Sequence, residues 1–144
     1  MTTLPITLTI TGIAAIINIW LAYRVAQVRH SQKVMTGDGG SEPVVARMRA
    51  QANFIEYTPI FLILLALIEL ARGSEPWLWG LSAAFVVGRL LHPFGMDRKA
   101  PNPMRMIGII LTLLSLLIAA VYAISIPYLD SMAPAVTYAE RAST

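Results

Sequence analysis

The segment that decides the fold runs from Ile107 to Ala123 and reads IGIILTLLSLLIAAVYA. It contains no charged residue, and its nearly continuous apolarity leaves no stripe that would face water along one side of a helix. A soluble all-helical bundle, the alternative interpretation, needs such a stripe on each of its outer helices. The segment therefore predicts a helix that spans a membrane.

The composition of the whole chain supports this interpretation. Its 144 residues are 56% hydrophobic and only 13% charged, which is roughly half the charged fraction of an ordinary soluble domain. The mean hydropathy is +0.64. The absence of cysteine excludes a disulfide-stapled secreted domain. Nucleic-acid binding is not expected, because the net charge is +3 and the basic residues flank apolar runs instead of forming one patch.

Three further apolar runs precede the decisive segment, each followed by a stretch rich in glycine, proline or charge. The predicted spans cover residues 5–28, 47–71, 77–93 and 104–128. Pro93 is expected to close the third helix, and Asn102 to cap the fourth with Pro103 as its first residue. The sequence thus predicts a single integral-membrane domain over residues 1–144, all-α, folded as a transmembrane four-helix bundle.

The basic residues predict how this bundle is oriented. Around the first and third loops they are Arg24, Arg29, Lys33, Arg47, Arg49, Arg89, Arg98, Lys99 and Arg105, whereas the other side has Arg72 and Arg141. Because cytoplasmic loops of membrane proteins carry an excess of Lys and Arg, both basic loops are expected in the cytoplasm. Both termini are then expected on the non-cytoplasmic side.

Polar side chains are concentrated in the second span. Arg49, Asn53 and Glu56 lie at i, i+4 and i+7, on one face of a helix. Such a set could hold a small zwitterion, with Arg binding a carboxylate and Glu an ammonium group. It could equally be structural, with Arg49 and Glu56 neutralising each other or a neighbouring helix and Asn53 linking helices. At the far end of this span, Glu69 and Arg72 are expected to form an interfacial ion pair.

The third and fourth spans contribute fewer polar residues. Arg89, His92 and Met96 share a face if the third helix continues past Pro93. No metal site is expected at His92, because the other histidine is His30 and no cluster of ligands accompanies it. Arg105 falls in the first turn of the fourth helix, where a cation opposes the helix dipole. Either a lipid phosphate or a bound anion would compensate this charge.

These residues resemble a known family. The run from Arg49 to Pro59, RAQANFIEYTP, resembles the second-helix signature of the MAPEG family, the membrane-associated proteins in eicosanoid and glutathione metabolism. Gly88-Arg89-Leu90-Leu91-His92 resembles the third-helix motif of that family, and the region around Arg105 resembles the start of its fourth helix. The first loop, from Val28 to Gly40, looks like that of the small bacterial branch.

The resemblance implies a homotrimer of four-helix protomers in the bacterial inner membrane, with glutathione as co-substrate between adjacent subunits. The implied activity is that of a membrane-bound glutathione transferase or peroxidase acting on lipophilic electrophiles. By position, the implied glutathione-binding residues are Arg29, Arg49, Gln51, Asn53, Glu56, Tyr57, Arg89 and His92. Arg105 matches the arginine that stabilises the glutathione thiolate, which is the nucleophile.

One position departs from the family pattern. Related proteins often have a tyrosine about one turn after the position of His92, where this chain has Met96, which cannot donate a hydrogen bond to glutathione. A non-catalytic member that binds glutathione or a lipid as a structural or interaction component is therefore the alternative function. A small four-span multidrug transporter is disfavoured, because residues 5–28 contain no acidic side chain.

Overall fold

The computed structural model describes residues 3–132, which form four helices joined by short connections. Helix α1 spans Pro5–Ser31, α2 spans Glu42–Arg72, α3 spans Pro76–Met96 and α4 spans Pro103–Met132. The predicted all-α four-helix bundle is confirmed. Arg141, which was assigned to the side opposite the basic loops, lies outside the described residues.

The bundle has two chemically different ends. The α1–α2 and α3–α4 connections lie together at one of them, as the ion pair between Arg24 of α1 and Asp97 shows. We call this the basic end, because both connections carry lysine or arginine side chains. The opposite end contains the α2–α3 connection, the beginning of α1 and the end of α4, which is tied to α2 by an ion pair between Arg72 and Asp130 at 2.7 Å.

The helices resemble membrane spans in length and in surface. By length and composition α1, α2 and Pro103–Ser131 of α4 can cross a membrane. Helix α3 does not reach the same apolarity, because its 21 residues include Arg89, His92 and two prolines. Large apolar side chains cover the outside of the bundle, among them Ile16, Ile63, Leu117 and Ile124, each more than half exposed. A surface of this kind fits lipid and not water.

The interior packs around aromatic rings of α2 and α3. Phe61 and Phe85 stack with their ring centroids 3.9 Å apart, and both side chains are buried. Ile6 and Ile10 of α1 and Ala119 of α4 belong to the same cluster. Since lipid tails are as apolar as these side chains, close packing rather than escape from water holds the helices together. This cluster fills the middle of the bundle and the end opposite the basic one.

Glu69 has a different role from the one expected. Its carboxylate is 2% exposed and accepts hydrogen bonds from the backbone N–H groups of Ile6 and Thr7, at 3.0 and 2.8 Å. The hydroxyls of Thr7 and Ser74 donate to it as well, each at 2.7 Å. Helix α1 has no side-chain cap of its own, so Glu69 satisfies its first N–H groups from the neighbouring helix. The predicted Glu69–Arg72 pair is therefore wrong, and Arg72 binds Asp130 instead.

Helix α3 extends past Pro93 to Met96, three residues beyond the predicted end. Proline removes one backbone hydrogen bond from a helix interior, so the last turn relies on contacts with other elements. Asp97, which follows it, pairs with Arg24 of α1 and Arg47 of α2. Gly95 lies directly against the backbone of Arg105 in α4. These contacts hold the final turn helical and keep Met96 on the same side as His92.

Candidate functional site

A groove of about 680 Å³ opens at the basic end, between α2, α3 and α4. We call it the α2–α4 groove. Its walls consist of Met48, Arg49, Ala52, Asn53 and Glu56 of α2, His92 and Met96 of α3, and Arg105 of α4. The sequence had singled out most of these residues separately, on three different helices. The fold brings them to one site.

The charged residues of α2 in this groove are not paired with each other. Arg49 and Glu56 are both exposed, and within residues 3–132 neither side chain forms an ion pair. The structural interpretation of the stripe holds in one part only: Arg49 and Glu56 do not pair with each other, but Asn53 links α2 to α3 through its hydrogen bond with Arg89. The guanidinium and the carboxylate are therefore both available to a ligand with charges of both signs.

Close packing of α3 on α4 places His92 beside the first turn of α4. Gly88 and Gly108 have no side chain between the helices, and a Cβ on Gly108 would lie 2.7 Å from the backbone nitrogen of His92. A Cβ on Gly88 would meet the carbonyl oxygen of Gly108 at 2.9 Å. Small residues at such a crossing allow backbones to approach closely in a membrane. The two walls of the groove are thereby fixed relative to each other.

The first turn of α4 fixes the position of Arg105. The predicted cap is confirmed, because Asn102 Oδ1 accepts a hydrogen bond from the N–H of Met104 at 2.9 Å and α4 begins at Pro103. The N–H of Arg105 also points to this oxygen, at 3.4 Å. Within residues 3–132 the Arg105 guanidinium has no acidic partner. Its charge, placed at a helix N-terminus, therefore favours an anion in the groove.

Arg89 lies behind the groove, not in it. Its side chain is 1% exposed and donates hydrogen bonds to Asn53 Oδ1 at 2.8 Å and to Thr112 Oγ1 at 3.2 Å. The guanidinium also lies 5.6 Å from the ring centroid of Phe54. Because the oxygen of the Asn53 side chain is occupied, its amide nitrogen is left to donate to a ligand. Arg89 thus orients Asn53 and does not line the groove itself.

His92 lines the groove, although its side chain is almost completely buried. The residue is 5% exposed, and its Nδ1 atom is buried without a hydrogen-bond partner among the described residues. Buried polar atoms in proteins are normally satisfied. This nitrogen therefore lies beside the groove without reaching its open volume.

The remaining residues predicted to bind glutathione do not line the groove. Gln51 and Tyr57 are half-buried on α2 outside its walls. Arg29 contacts Met48, with its Nη2 atom 3.5 Å from the Met48 sulfur. It lines a separate depression together with Lys33. Sequence position alone did not separate residues that form the groove from residues next to it.

A second cavity, of about 460 Å³, adjoins the groove at the basic end. We call it the vestibule, and its walls include Glu42, Ala46, Arg47, Met96, Arg98 and Lys99. Asp97, also in its wall, pairs with the buried Arg24, whose guanidinium lies 4.8 Å from the ring centroid of Trp20. The other charged partner of Asp97 is Arg47, at 3.5 Å. Three helices are therefore tied together beside the vestibule.

The sequence did not indicate Met48, Ala52 or the pairing of Arg24 with Asp97 as parts of this site. Met48 and Ala52 precede Glu56 by eight and four residues, so helical periodicity placed them on the same face. They were not selected because they carry no charge. Arg24 was noted only as one of the basic residues around the first loop, and its partner lies 73 residues away in the chain. No pattern in one sequence indicates a contact of that kind.

The fold and the groove together define an integral membrane protein whose helical bundle exposes a charged groove at one end. The MAPEG family model matches residues 7–125, and the chain belongs to this family. It is similar to the inner membrane protein YecN of Escherichia coli K12, with 27% identity over 88 residues, or 60% of this chain. YecN of Escherichia coli O6:H1 gives the same values. The match spans 66% of each relative's own length, just under two thirds.

Proposed function

We propose that this protein is a membrane-bound, glutathione-dependent transferase or peroxidase that acts on lipophilic electrophiles. The observation that supports this function is the α2–α4 groove, where Arg49, Asn53, Glu56, His92 and Arg105 line one open volume of about 680 Å³. Membership of the MAPEG family makes glutathione the first ligand to consider. The charges of the groove are a second reason to consider glutathione as the ligand.

Glutathione carries two carboxylates and one ammonium group at neutral pH. The groove presents two guanidinium groups, of Arg49 and Arg105, and the carboxylate of Glu56. Arg binds a carboxylate through two parallel hydrogen bonds, and Glu pairs with an ammonium group. The amide nitrogen of Asn53, left free by the bond from Arg89 to its oxygen, can donate to a peptide carbonyl. The signs and types of these groups suit a short anionic peptide.

In this proposal Arg105 activates the sulfur of glutathione. A thiol becomes a strong nucleophile only as the thiolate, and a nearby cation lowers the pKa of the thiol. Arg105 has no acidic partner among residues 3–132, so its charge is not neutralised before the ligand arrives. The thiolate then forms a thioether at an electrophilic carbon, either by displacing a leaving group as its anion or by adding to a conjugated double bond, whose carbanion takes up a proton. Alternatively it attacks the terminal oxygen of a hydroperoxide, which breaks the O–O bond, releases the alcohol after protonation and leaves glutathione sulfenic acid; the thiol of a second glutathione then displaces water to give the disulfide.

The second substrate enters from the bilayer in this proposal. Beside Arg105, the outer face of α4 carries Met106, Ile107 and Ile110, which are 62%, 49% and 48% exposed. A lipophilic electrophile dissolved in the membrane can therefore approach along an apolar surface and meet the sulfur at the end of the groove. The electrophile therefore does not have to cross water to reach the sulfur.

We further propose a homotrimer in the bacterial inner membrane, with the basic end in the cytoplasm and the α1 N-terminus on the other side. The location agrees with that of the relative YecN, an inner membrane protein. The orientation follows from the lysine and arginine residues of the two connections at the basic end. The open side of the groove is where neighbouring subunits would close the site. Chemical cross-linking in the native membrane tests the trimer.

The thiolate itself provides the direct test of this function. We expect the purified, detergent-solubilised protein to show thiolate absorbance in the ultraviolet when reduced glutathione is added at neutral pH. The Arg105→Ala variant should lose this signal at neutral pH and regain it only at higher pH. Lys33→Ala, which removes a cation outside the groove, is the matched control and should behave as wild type. Full thiolate formation and turnover in Arg105→Ala would refute the assignment.

A second function is favoured by one feature of the groove. Met96 forms part of its wall and cannot donate a hydrogen bond, so a non-catalytic protein that binds glutathione or a lipid fits the same site. Glutathione binding without a thiolate signal in the wild-type protein would support this alternative. Binding together with the thiolate signal would support the enzyme.

A further inference from the structure

The end of α1 forms a depression of about 530 Å³ that is separate from the groove and from the vestibule. We call it the α1 depression, and its walls are Arg29, His30, Lys33, Val34 and Met35. Within residues 3–132 three of its wall residues are basic and none is acidic. The vestibule differs, because the carboxylates of Glu42 and Asp97 lie among its cations.

The two permanent cations of the α1 depression are not neutralised by the fold. Neither Arg29 nor Lys33 forms an ion pair in the part of the chain from residue 3 to 132. Asp38, the next acidic residue along the chain, accepts a hydrogen bond from the N–H of Gly40 and does not line the depression. The C-terminal end of a helix carries about half a negative elementary charge, which is too little to balance two cations. The depression therefore favours an anion.

The backbone at the end of α1 fixes the position of Lys33. Its φ is +55°, in the left-handed region that glycine usually adopts after a helix. The N–H of Lys33 donates to the His30 carbonyl at 3.2 Å, and the N–H of Val34 donates to the Arg29 carbonyl at 2.9 Å. The chain thus turns back over the last turn of α1. A side chain at such a φ is strained, so fold stability alone would favour glycine where this chain has a cation.

An exposed apolar surface adjoins the depression. Ile16, Ile19 and Tyr23 are 69%, 70% and 65% exposed, and their spacing of three and four residues places them on one side of α1, which we call the outer face. His30 follows Tyr23 by seven residues, so the outer face leads to the depression. Next to it, the apolar side chain of Met35 is 90% exposed. A positive depression at the end of an apolar helix face matches the layout of a phospholipid, whose phosphate adjoins its acyl chains.

We propose that the α1 depression binds the phosphate of one anionic phospholipid, whose acyl chains lie along the outer face of α1. Basic pockets beside membrane helices bind anionic headgroups in this way. Arg29 and Lys33 donate charge-assisted hydrogen bonds to the phosphate oxygens, and Met35 enters the interfacial layer beside the headgroup. The inference is independent of glutathione, since the α1 depression shares no wall residue with the α2–α4 groove.

The test titrates the full-length protein in neutral detergent with dioleoyl phosphatidylglycerol and counts bound lipids by native mass spectrometry. The first phosphatidylglycerol should bind at least fivefold more tightly than dioleoyl phosphatidylcholine, which has the same chains and no net charge. In Arg29→Ser with Lys33→Ser its affinity should fall about 25-fold, because each cation beside an anionic headgroup contributes about fivefold. Equal binding of the two lipids to the wild-type protein would overturn the proposal.

Arg98→Ser with Lys99→Ser is the matched control, because it removes the same charge from the vestibule at the same end of the bundle. This control should bind phosphatidylglycerol as the wild type does. An equal loss in both double variants would show general attraction to the basic end and overturn the site. Glycerol phosphate, which has no acyl chains, should not displace the lipid at equal concentration. Displacement would assign the depression to a soluble phosphate ester instead.

Lys33→Gly separates lipid binding from folding. Glycine relieves the left-handed backbone at this position, so the melting temperature of the protein in detergent without added lipid should rise. The affinity for phosphatidylglycerol should nevertheless fall about fivefold, through the loss of one cation. A more stable Lys33→Gly protein that binds this lipid as tightly as the wild type would remove Lys33 from the site and overturn the proposal.

Discussion

Arg89 of α3 donates a hydrogen bond from Nη2 to Oδ1 of Asn53 on α2, at 2.8 Å. The two residues are 36 positions apart, and one is fully buried while the other lines the groove. The bond sets which end of the Asn53 amide faces the groove. A buried guanidinium thereby acts on the site through a residue that it positions.

The hydrogen bonds of Arg89 predict different effects for a substitution at its partner Thr112 and for a substitution at Arg89 itself. Thr112→Val removes the second hydrogen bond of Arg89, at 3.2 Å, with little change in volume, and should lower the free energy of unfolding by about 1 kcal/mol. It should leave glutathione affinity unchanged. Arg89→Lys loses the planar fork that reaches both partners, so it should reduce stability and affinity together.

Thermal unfolding in detergent and equilibrium glutathione binding measure these two quantities. Asn53→Ala supplies the third comparison, because it removes the groove residue and should reduce affinity as strongly as Arg89→Lys does. If Arg89→Lys lowered the melting temperature without any change in affinity, Arg89 would be structural only.

Glu56 is predicted to recognise the ammonium group of glutathione. Glu56→Gln keeps the shape of the side chain and removes its charge, so the affinity for reduced glutathione should fall by about tenfold, as expected for one charged contact. N-acetylated glutathione has no ammonium group and should bind equally to wild type and to Glu56→Gln. A similar loss of affinity for both ligands would place the contact of Glu56 elsewhere on the peptide. Isothermal titration of each ligand distinguishes these outcomes.

The sequence predicted the architecture well, because its strongest signals are local. Seventeen consecutive uncharged residues from Ile107 to Ala123 define a span without reference to any other helix. The i, i+4, i+7 spacing of Arg49, Asn53 and Glu56 places them on one face by helical geometry alone. The cap at Asn102 is also local, and it is confirmed. Each of these inferences needed only neighbouring residues.

The parts that could not be predicted depend on contacts between distant segments. Glu69 and Arg72 are close in sequence, and their spacing favours a pair, but Glu69 caps α1 and Arg72 binds Asp130. Arg89 belongs to the motif that resembles the family, and the sequence gives no indication that it is buried behind Asn53. Pro93 indicated a helix end, yet tertiary contacts around Gly95 and Asp97 carry α3 one turn further.

Glu69 is predicted to be important for stability and unimportant for ligand binding. Glu69→Gln has one acceptor oxygen where the carboxylate has two, so the N–H groups of Ile6 and Thr7 cannot both be satisfied. Since hydrogen bonds to charged groups are stronger than neutral ones, the free energy of unfolding should fall by about 2 kcal/mol. Chemical denaturation followed by circular dichroism measures this change.

The control for Glu69 is Glu75→Gln. Glu75 is exposed and makes no capping hydrogen bond through its side chain at the start of α3, so its substitution should leave stability unchanged. Equal stability of the two variants would show that the buried carboxylate adds nothing beyond a neutral amide. Glutathione affinity should match wild type in both variants, because Glu69 lies at the end of the bundle opposite the groove.

The glycine contact between α3 and α4 gives a prediction that links packing to the site. In Gly108→Ala the new methyl group would lie 2.7 Å from the backbone nitrogen of His92 and 2.9 Å from the carbonyl oxygen of Gly88. These are backbone atoms, so the helices themselves have to separate, at a cost of about 1–3 kcal/mol in stability. The separation also moves His92 away from the first turn of α4.

Each glycine variant is therefore tested by two measurements, its melting temperature and the thiolate signal of bound glutathione. Gly108→Ala should lower both the melting temperature and the thiolate signal of bound glutathione, because His92 and Arg105 no longer face the same volume. Gly80→Ala is the matched control on α3, where a Cβ meets nothing within 4 Å, and alanine is the better helix former. This variant should be as stable as wild type and bind glutathione normally. A Gly108→Ala protein with unchanged stability would contradict the close approach of the two backbones, since no flexible side chain is present there to absorb the methyl group.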